Sequence, residues 1–205
     1  MQVIKDIEQR SDEWKKLRMG KVTGTRVKDL VPKRGTAKKI AFYEIIAEKM
    51  SIEEDYENPM ERGTRLEPKV VELFEEATGK KVEEVAMCIS DFNEDIALSP
   101  DGLILNNGEY TEAVEIKCLK SSEHIKSYLT KEIPKEYKDQ AMQYFIVNEK
   151  LETLYFCMYD PRLPYVDFFY LELKREDYEK EIQETKEYQE QALKEINDII
   201  EKLTF

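Results

Sequence analysis

The chain has 205 residues, of which 41% are hydrophobic and 37% are charged, and its formal net charge is −12. This length suits one globular domain with its own core. No apolar run approaches the roughly 20 residues of a transmembrane helix, and residues 1–10 are too polar for a secretory signal, so we expect a cytoplasmic protein.

The N-terminal region is predicted to be helical and basic. Residues 1–40 hold 12 Lys and Arg against 5 Asp and Glu, whereas the rest of the chain is acidic. This asymmetry favours one basic surface that attracts a polyanion, the alternative being a solvated face without a partner. The predicted elements are a short helix capped by Ser11, a helix opened by Thr23 or Thr25 that ends near Leu30, and a basic loop at 33–36.

Helices and strands alternate through the middle of the chain. Amphipathic helices are predicted over 37–50 and 64–78, with Gly79 as the C-terminal cap of the second. Strands follow from Lys81 to Cys118, where residues 96–98 are expected to pair with 103–105 before a turn at 106–108. Later elements are a helix opened by Ser121 or Ser122, a helix over 135–147, strands over 154–158 and 165–173, and a helix over 176–203.

This order predicts an α/β (α+β) fold with a central mixed sheet flanked by helices. In the long C-terminal helix, apolar residues recur at steps of three or four, which core or subunit packing explains; they are Tyr178, Ile182, Thr185, Tyr188, Ala192, Ile196, Ile199 and Leu203. Cys88, Cys118 and Cys157 form neither a zinc nor a disulfide pattern and are expected to be buried thiols. His124, the one histidine, is expected at the surface.

The most informative pattern is Ser99-Pro100-Asp101-Gly102 followed by Glu115-Ile116-Lys117. Residues 113–119 alternate as a strand, so Glu115 and Lys117 share one face. Asp101 would lie at a strand end, free to face Glu115. Two carboxylates can hold Mg²⁺ while an ammonium positions the attacking water, which is the chemistry of phosphodiester cleavage. Separately, each pattern could be only a turn or an exposed strand face.

Several further sequence blocks accompany these residues. They are Trp14-Lys15-Lys16-Leu17-Arg18-Met19-Gly20 with Val22-Thr23-Gly24-Thr25, Arg62-Gly63-Thr64-Arg65-Leu66-Glu67, Tyr137-Lys138-Asp139-Gln140 and Tyr159-Asp160-Pro161-Arg162. With these blocks in this order, the chain resembles the phage lambda exonuclease, or YqaJ-type viral recombinase, family of PD-(D/E)XK nucleases from about Arg10 to Leu173. The resemblance implies a restriction-endonuclease-like core within a single nuclease domain, 1–205. Its parts would be a basic helical region at about 1–50, a catalytic core at about 60–173 and a C-terminal helix at about 175–203.

The resemblance also implies a role for each matching residue. Asp101, Glu115 and the Ile116 carbonyl would bind Mg²⁺, Glu67 would contribute to a second ion, and Lys117 would orient or deprotonate the water. Gln140 and Tyr137 would lie on the helix that closes the site. Arg18 would receive a DNA 5′-phosphate together with Thr25, which stands where the family usually has serine. Gln143 is one position later than the second glutamine of the lambda protein.

The implied activity is a Mg²⁺-dependent 5′-to-3′ exonuclease on linear double-stranded DNA that leaves 3′ single-stranded tails. Two Mg²⁺ ions are expected, with Mn²⁺ as a substitute. The implied partners are DNA ends, a single-strand annealing protein and further copies in a ring, with a trimer favoured, in a phage- or prophage-encoded system of a bacterial host. The alternatives are an endonuclease or resolvase of the same fold and a non-catalytic protein that binds DNA ends.

Overall fold

The computed structural model describes residues 11–19, 21, 38–51 and 58–204. The helix predicted after Thr23 or Thr25 and the loop at 33–36 lie outside these residues. The described helices are α1 (Asp12–Arg18), α2 (Ile40–Met50), α3 (Pro59–Thr78), α4 (Ser121–Thr130), α5 (Lys138–Val147) and α6 (Glu179–Thr204). The strands are β1 (Cys88–Ile89), β2 (Ala97–Leu98), β3 (Gly102–Asn106), β4 (Glu109–Lys117), β5 (Thr153–Tyr159) and β6 (Phe168–Lys174).

Local sequence signals set several helix ends. Ser11 caps α1 by accepting a hydrogen bond from the backbone N–H of Trp14 at 3.2 Å, as predicted. Gly79 ends α3 with φ of 70°, a left-handed conformation that glycine adopts without strain. Its backbone N–H donates to the Glu75 carbonyl. Helix α3 begins five residues before the predicted start at Thr64.

The main sheet is mixed and has the strand order β3-β4-β5-β6. Strands β3 and β4 form an antiparallel hairpin, β4 and β5 are parallel, and β5 and β6 are antiparallel. In the parallel pair Glu115 lies beside Phe156 and Lys117 beside Met158. The mixed sheet flanked by helices and the long C-terminal helix confirm the predicted fold class.

One predicted pairing is wrong. Strand β2 pairs with β1, and β3 pairs with β4, so residues 96–98 and 103–105 are not partners. The turn at Asn107 and Gly108, both with positive φ, closes β3 onto β4 instead. The predicted helix over 135–147 begins as a 3₁₀ turn, Lys135–Tyr137, and the last strand starts at Phe168 rather than Tyr165.

Hydrophobic side chains fill both faces of the main sheet. On one face Val70 and Phe74 of α3 pack against Val114 and Ile116 of β4. On the other face Ala113 packs among side chains of α5, β5 and the start of α6. Because β4 alternates between these faces, the side of the strand that carries Glu115 is turned toward α5.

The remaining expectations concern the cysteines, the histidine and the membrane. Cys157 is buried while Cys88 and Cys118 are half-buried, and all three are free thiols. His124 is fully buried, so the expectation of a surface residue is wrong. Its ring packs edge-on against Phe169 and its Nε2 lies 2.6 Å from the Val166 carbonyl oxygen.

In the described part of the chain, no helix has the length and apolar character needed to cross a membrane.

Candidate active site

Asp101 lies in the short turn between β2 and β3, and its side chain contacts β4. Its Oδ2 accepts a hydrogen bond from the backbone N–H of Ile116 at 2.6 Å. This bond places the carboxylate directly beside the strand that carries Glu115. The glycine that follows leaves room for a close neighbour, because a Cβ on Gly102 would lie only 2.2 Å from Cγ1 of Val82.

Glu115 is fully buried on β4, and three side chains stabilise its carboxylate. Gln140 donates from Nε2 to Oε1 at 2.7 Å, and Tyr144 donates from its hydroxyl to Oε2 at 2.6 Å. Lys117 forms an ion pair with Oε1. A buried carboxylate is costly unless it is paired and hydrogen-bonded, and Glu115 meets both conditions.

Tyr144 is a site residue that the sequence analysis did not single out. Besides donating to Glu115, its hydroxyl accepts a hydrogen bond from the backbone N–H of Asp101 at 3.2 Å. It therefore contacts both acids of the predicted pair. The available signal was its spacing, because Tyr144 follows Gln140 by four residues and so lies on the same face of α5.

Lys117 and Glu67 line a cleft of about 600 Å³ at the end of β4. The Lys117 ammonium lies 5.1 Å from the ring centroid of Tyr137, a distance typical of a cation–π contact. Tyr137 also packs against Phe156 of the core, so its ring contacts both the cleft lysine and the core. Glu67 reaches the cleft from α3, and Ile116 contributes to the cleft wall between them.

The three carboxylates of the site act on one another electrostatically. Burial raises the pKa of Glu115, and the charge of Asp101 raises it further. Burial also raises the pKa of Asp101, against the opposing effects of the Ile116 N–H and the Lys117 charge. Burial and the nearby Asp101 raise the pKa of Glu67 as well. Three acids facing one ammonium leave an excess of negative charge that a cation would neutralise.

These residues suit a hard divalent cation. Carboxylate and carbonyl oxygens are the ligands that Mg²⁺ prefers, and it is commonly held by one or two carboxylates together with water and substrate phosphate. Asp101, Glu115 and the Ile116 carbonyl match that donor set. Across residues 11–19, 21, 38–51 and 58–204, no three His, Cys, Asp or Glu side chains converge as one ligand group, so Glu67 does not join the other two acids in a single set.

The predicted phosphate-binding residues are only partly described. Arg18 is half-buried at the end of α1, with its guanidinium 4.4 Å from the ring centroid of Trp14. Thr25 lies outside the described residues. Gln143 points away from the acids: its Nε2 donates to the Ala97 carbonyl at 3.1 Å, and its Oε1 accepts from Gln189 of α6. It therefore connects α6 to β2 instead of lining the site.

A buried charged cluster fixes the chain just beyond Lys117. Asp160 accepts hydrogen bonds from Arg62 at 3.0 Å, from Arg162 at 2.7 Å and from Ser121 at 2.5 Å. Both guanidinium groups also donate to the Leu119 carbonyl. The cluster joins α3, β5 and the start of α4 at the end of β4, and thereby sets where α3 presents Glu67.

Comparisons with known proteins agree on one group. The YqaJ-like viral recombinase domain matches residues 13–151. The structure of LHK-Exo in complex with dAMP is similar over 95% of this chain and 98% of its own, with 28% identity and a TM-score of 0.60. A structure of the alkaline exonuclease LHK-Exo from Laribacter hongkongensis covers 94% of this chain and 100% of its own, with 27% identity and a TM-score of 0.54. No curated protein sequence matches.

Proposed function

The chain belongs to the YqaJ-like viral recombinase family, and we propose that it is a Mg²⁺-dependent exonuclease that degrades linear double-stranded DNA from 5′ to 3′. Family membership and the alkaline exonuclease neighbours support a nuclease that acts on DNA. The observation that carries the proposal is the meeting of Asp101 and Glu115, which come from separate strand segments and are joined through the Ile116 N–H and the Tyr144 hydroxyl.

Asp101, Glu115 and the Ile116 carbonyl would hold Mg²⁺, and Glu67 would contribute to a second ion. A bound Mg²⁺ supplies charge stabilisation at the phosphate and a more acidic water. Mn²⁺ is expected to substitute because it accepts the same oxygen ligands.

The side chains around the metal site would orient the water, stabilise charge and hold the ligands in place. Lys117 pairs with Glu115 and also lines the cleft, where its ammonium can orient the attacking water and neutralise charge that develops on the phosphate. Gln140 and Tyr144 keep the Glu115 carboxylate in one orientation, and the Tyr137 ring lies against the Lys117 ammonium and helps to position it. A site held on strands and supported by such contacts is preorganised for the reaction.

The direction of cleavage rests on Arg18. A guanidinium binds phosphate through parallel hydrogen bonds, so Arg18, with Thr25, would anchor a 5′-phosphorylated end. The basic composition of residues 1–40 would bring the DNA backbone to this part of the protein while the acidic remainder limits non-specific binding. The product would be duplex DNA with 3′ single-stranded tails.

We further propose a closed ring of identical subunits, with a trimer favoured, that passes its products to a single-strand annealing protein. A ring is a heterologous assembly that closes through cyclic symmetry. It would keep duplex DNA from dissociating sideways and so explain processive degradation.

The decisive experiment is degradation of linear duplex DNA labelled at either the 5′ or the 3′ end, with and without Mg²⁺. We expect Mg²⁺-dependent release of the 5′ label first, and no cleavage of a closed circular plasmid. Nicking of the plasmid would instead identify an endonuclease or resolvase. DNA-end binding without nucleotide release at micromolar protein would identify a non-catalytic end-binding protein.

A further inference from the structure

The distal half of α6 carries an apolar stripe that the rest of the described protein leaves exposed. Ile182 at the start of the helix is buried, and Leu193 packs partly against the same core. Beyond that point Ile196, Ile199 and Leu203 are 49%, 47% and 80% exposed. Singly exposed apolar residues need no explanation, but a contiguous stripe of them marks a contact surface.

The stripe has the spacing of a coiled-coil seam. Seam residues follow one another at alternating steps of three and four along the helix, which is the repeat that keeps one helix against another; they are Ile182, Thr185, Gln189, Ala192, Ile196, Ile199 and Leu203. The first part of the seam is used within the chain, since Gln189 donates to Gln143 of α5. The last part, from Ala192 to Leu203, continues the same repeat.

The residues that flank the exposed seam indicate which helix would pack against it. On one side lie Leu193 and Ile200, which are apolar, and on the other side lie Glu195 and Lys202, which carry opposite charges. When two copies of a helix pair antiparallel, equivalent flanks of the two helices face each other. Glu195 of one copy then lies beside Lys202 of the other, and the reverse pair forms at the same time. In a parallel pair Glu195 would instead face Ile200, with no charge complementarity.

The apolar layers fit the same antiparallel register. With Glu195 opposite Lys202, Ile196 lies opposite Ile199 of the second copy, and Ala192 lies opposite Leu203. A small residue thus faces a large one at each end of the contact, and isoleucine fills the centre. Sequence, charge and side-chain size therefore agree on one register.

We propose that the distal half of α6 docks antiparallel onto the same segment of a second copy of this chain, as a two-fold contact. The contact is isologous, because each copy offers the same surface to the other. The contact involves only about the last three turns of the helix, so we expect weak self-association in the micromolar range. The proposal does not depend on the nuclease assignment.

The test uses two charge reversals, Glu195→Lys and Lys202→Glu, and sedimentation velocity from about 1 to 100 μM. Either variant places like charges opposite each other at both ends of the contact, so we expect about tenfold weaker self-association than in the unmodified chain. An equimolar mixture of the two variants restores both opposite-charge pairs and should regain the lost mass. Asn197→Lys, which adds positive charge outside the seam, is the matched control and should change nothing.

Assembly through other surfaces, such as a ring, adds the same mass to every sample and leaves these differences intact. Self-association that ignores both charge reversals would overturn the proposal, as would a mixture that behaves like its separate components. Absence of any self-association by the unmodified chain would also overturn it and point to a different protein as the occupant of the seam.

Discussion

The hydroxyl of Tyr144 lies 2.6 Å from Oε2 of Glu115, and both residues are almost completely buried. Tyr144→Phe removes this donor while keeping the ring. We expect a 10- to 100-fold loss of nuclease activity or of Mg²⁺ affinity, as for other residues that orient a ligand, and a free energy of unfolding lower by about 1–3 kcal/mol. The cleavage rate as a function of Mg²⁺ concentration measures the first effect, and urea denaturation measures the second. Tyr188→Phe, at an exposed tyrosine, is the control; equal behaviour of the two variants would contradict the role.

Asp101 has two functions that substitution can separate. Asp101→Asn keeps an oxygen to accept the Ile116 N–H but removes the charge, so we expect cleavage to fall at least about 100-fold with little change in stability. Asp101→Ala also leaves a buried N–H without its partner, and should lose about 1–3 kcal/mol of stability in addition. Rates on linear DNA and denaturant midpoints distinguish the two. Substantial activity in Asp101→Asn, or in Lys117→Ala, would refute the assignment of these side chains.

The role proposed for Arg18 concerns the DNA end rather than the chemistry. Arg18→Ala should reduce the preference for 5′-phosphorylated over 5′-hydroxyl ends about tenfold, because it removes charge-assisted hydrogen bonds to the phosphate. The measurement is the ratio of initial rates on the two substrates. Lys15→Ala removes an exposed cation from the same helix and should leave the ratio unchanged. An unaltered ratio in Arg18→Ala means that this side chain does not receive the phosphate.

Asp160 compensates two buried guanidinium groups. Asp160→Asn leaves Arg62 and Arg162 underneutralised, and we expect a loss of about 3–5 kcal/mol in the free energy of unfolding. Ser121→Ala removes a single hydrogen bond to the same carboxylate and should lose about 1 kcal/mol. Denaturant titration of both variants gives the comparison. Equal losses would mean that the charge of Asp160 contributes little.

The same residue predicts a pH dependence. Burial opposes ionisation of Asp160, but hydrogen bonds from Arg162 and Ser121 and the charge of Arg162 outweigh burial and lower its pKa. A carboxyl whose pKa is lower in the folded state stabilises the protein above its unfolded pKa of about 3.9, and this contribution disappears as the pH falls through the folded value. The stability difference between the unmodified chain and Asp160→Asn should therefore shrink in acid.

Gly102 controls the position of Asp101 through simple sterics. In Gly102→Ala the new methyl group would meet Cγ1 of Val82, so Val82 or the turn must move. We expect about 1–3 kcal/mol of destabilisation from overpacking and reduced cleavage from displacement of the neighbouring acid. Adding Val82→Ala provides space and should recover most of both losses. A double variant as impaired as the single one would show that the clash is not the cause.

The sequence was most informative where local physical rules act. The Ser11 cap, the Gly79 helix end and the strand predicted over 113–119 each depend on a few neighbouring side chains. The structure has the first two as predicted, and it has the strand up to Lys117, two residues short of the predicted end. The pairing of β2 with β1 could not be derived in the same way, because both strands have two residues and their pairing depends on distant segments.

Some of the residues around the candidate site could be predicted from the sequence, and others could not. Asp101, Glu115 and Lys117 stood out because acids and an amine in one pattern suggest a metal-dependent reaction. Tyr144 did not stand out, since a tyrosine among apolar helix residues usually indicates core packing, and only its position against β4 shows its hydrogen bonds with Glu115 and Asp101. His124 is buried for a related reason that the sequence does not show. A histidine near a helix start is compatible with a surface or a core position, and here the ring packs against Phe169 in the core.

Gln143 lies midway in a relay of hydrogen bonds from Gln189 of α6 to the carbonyl of Ala97, four residues before Asp101. A rotation of α6 about its axis would therefore break these hydrogen bonds or displace Ala97. The last helix is thus tethered to the strand that leads into the acidic pair, and the position of that strand depends on where α6 is packed.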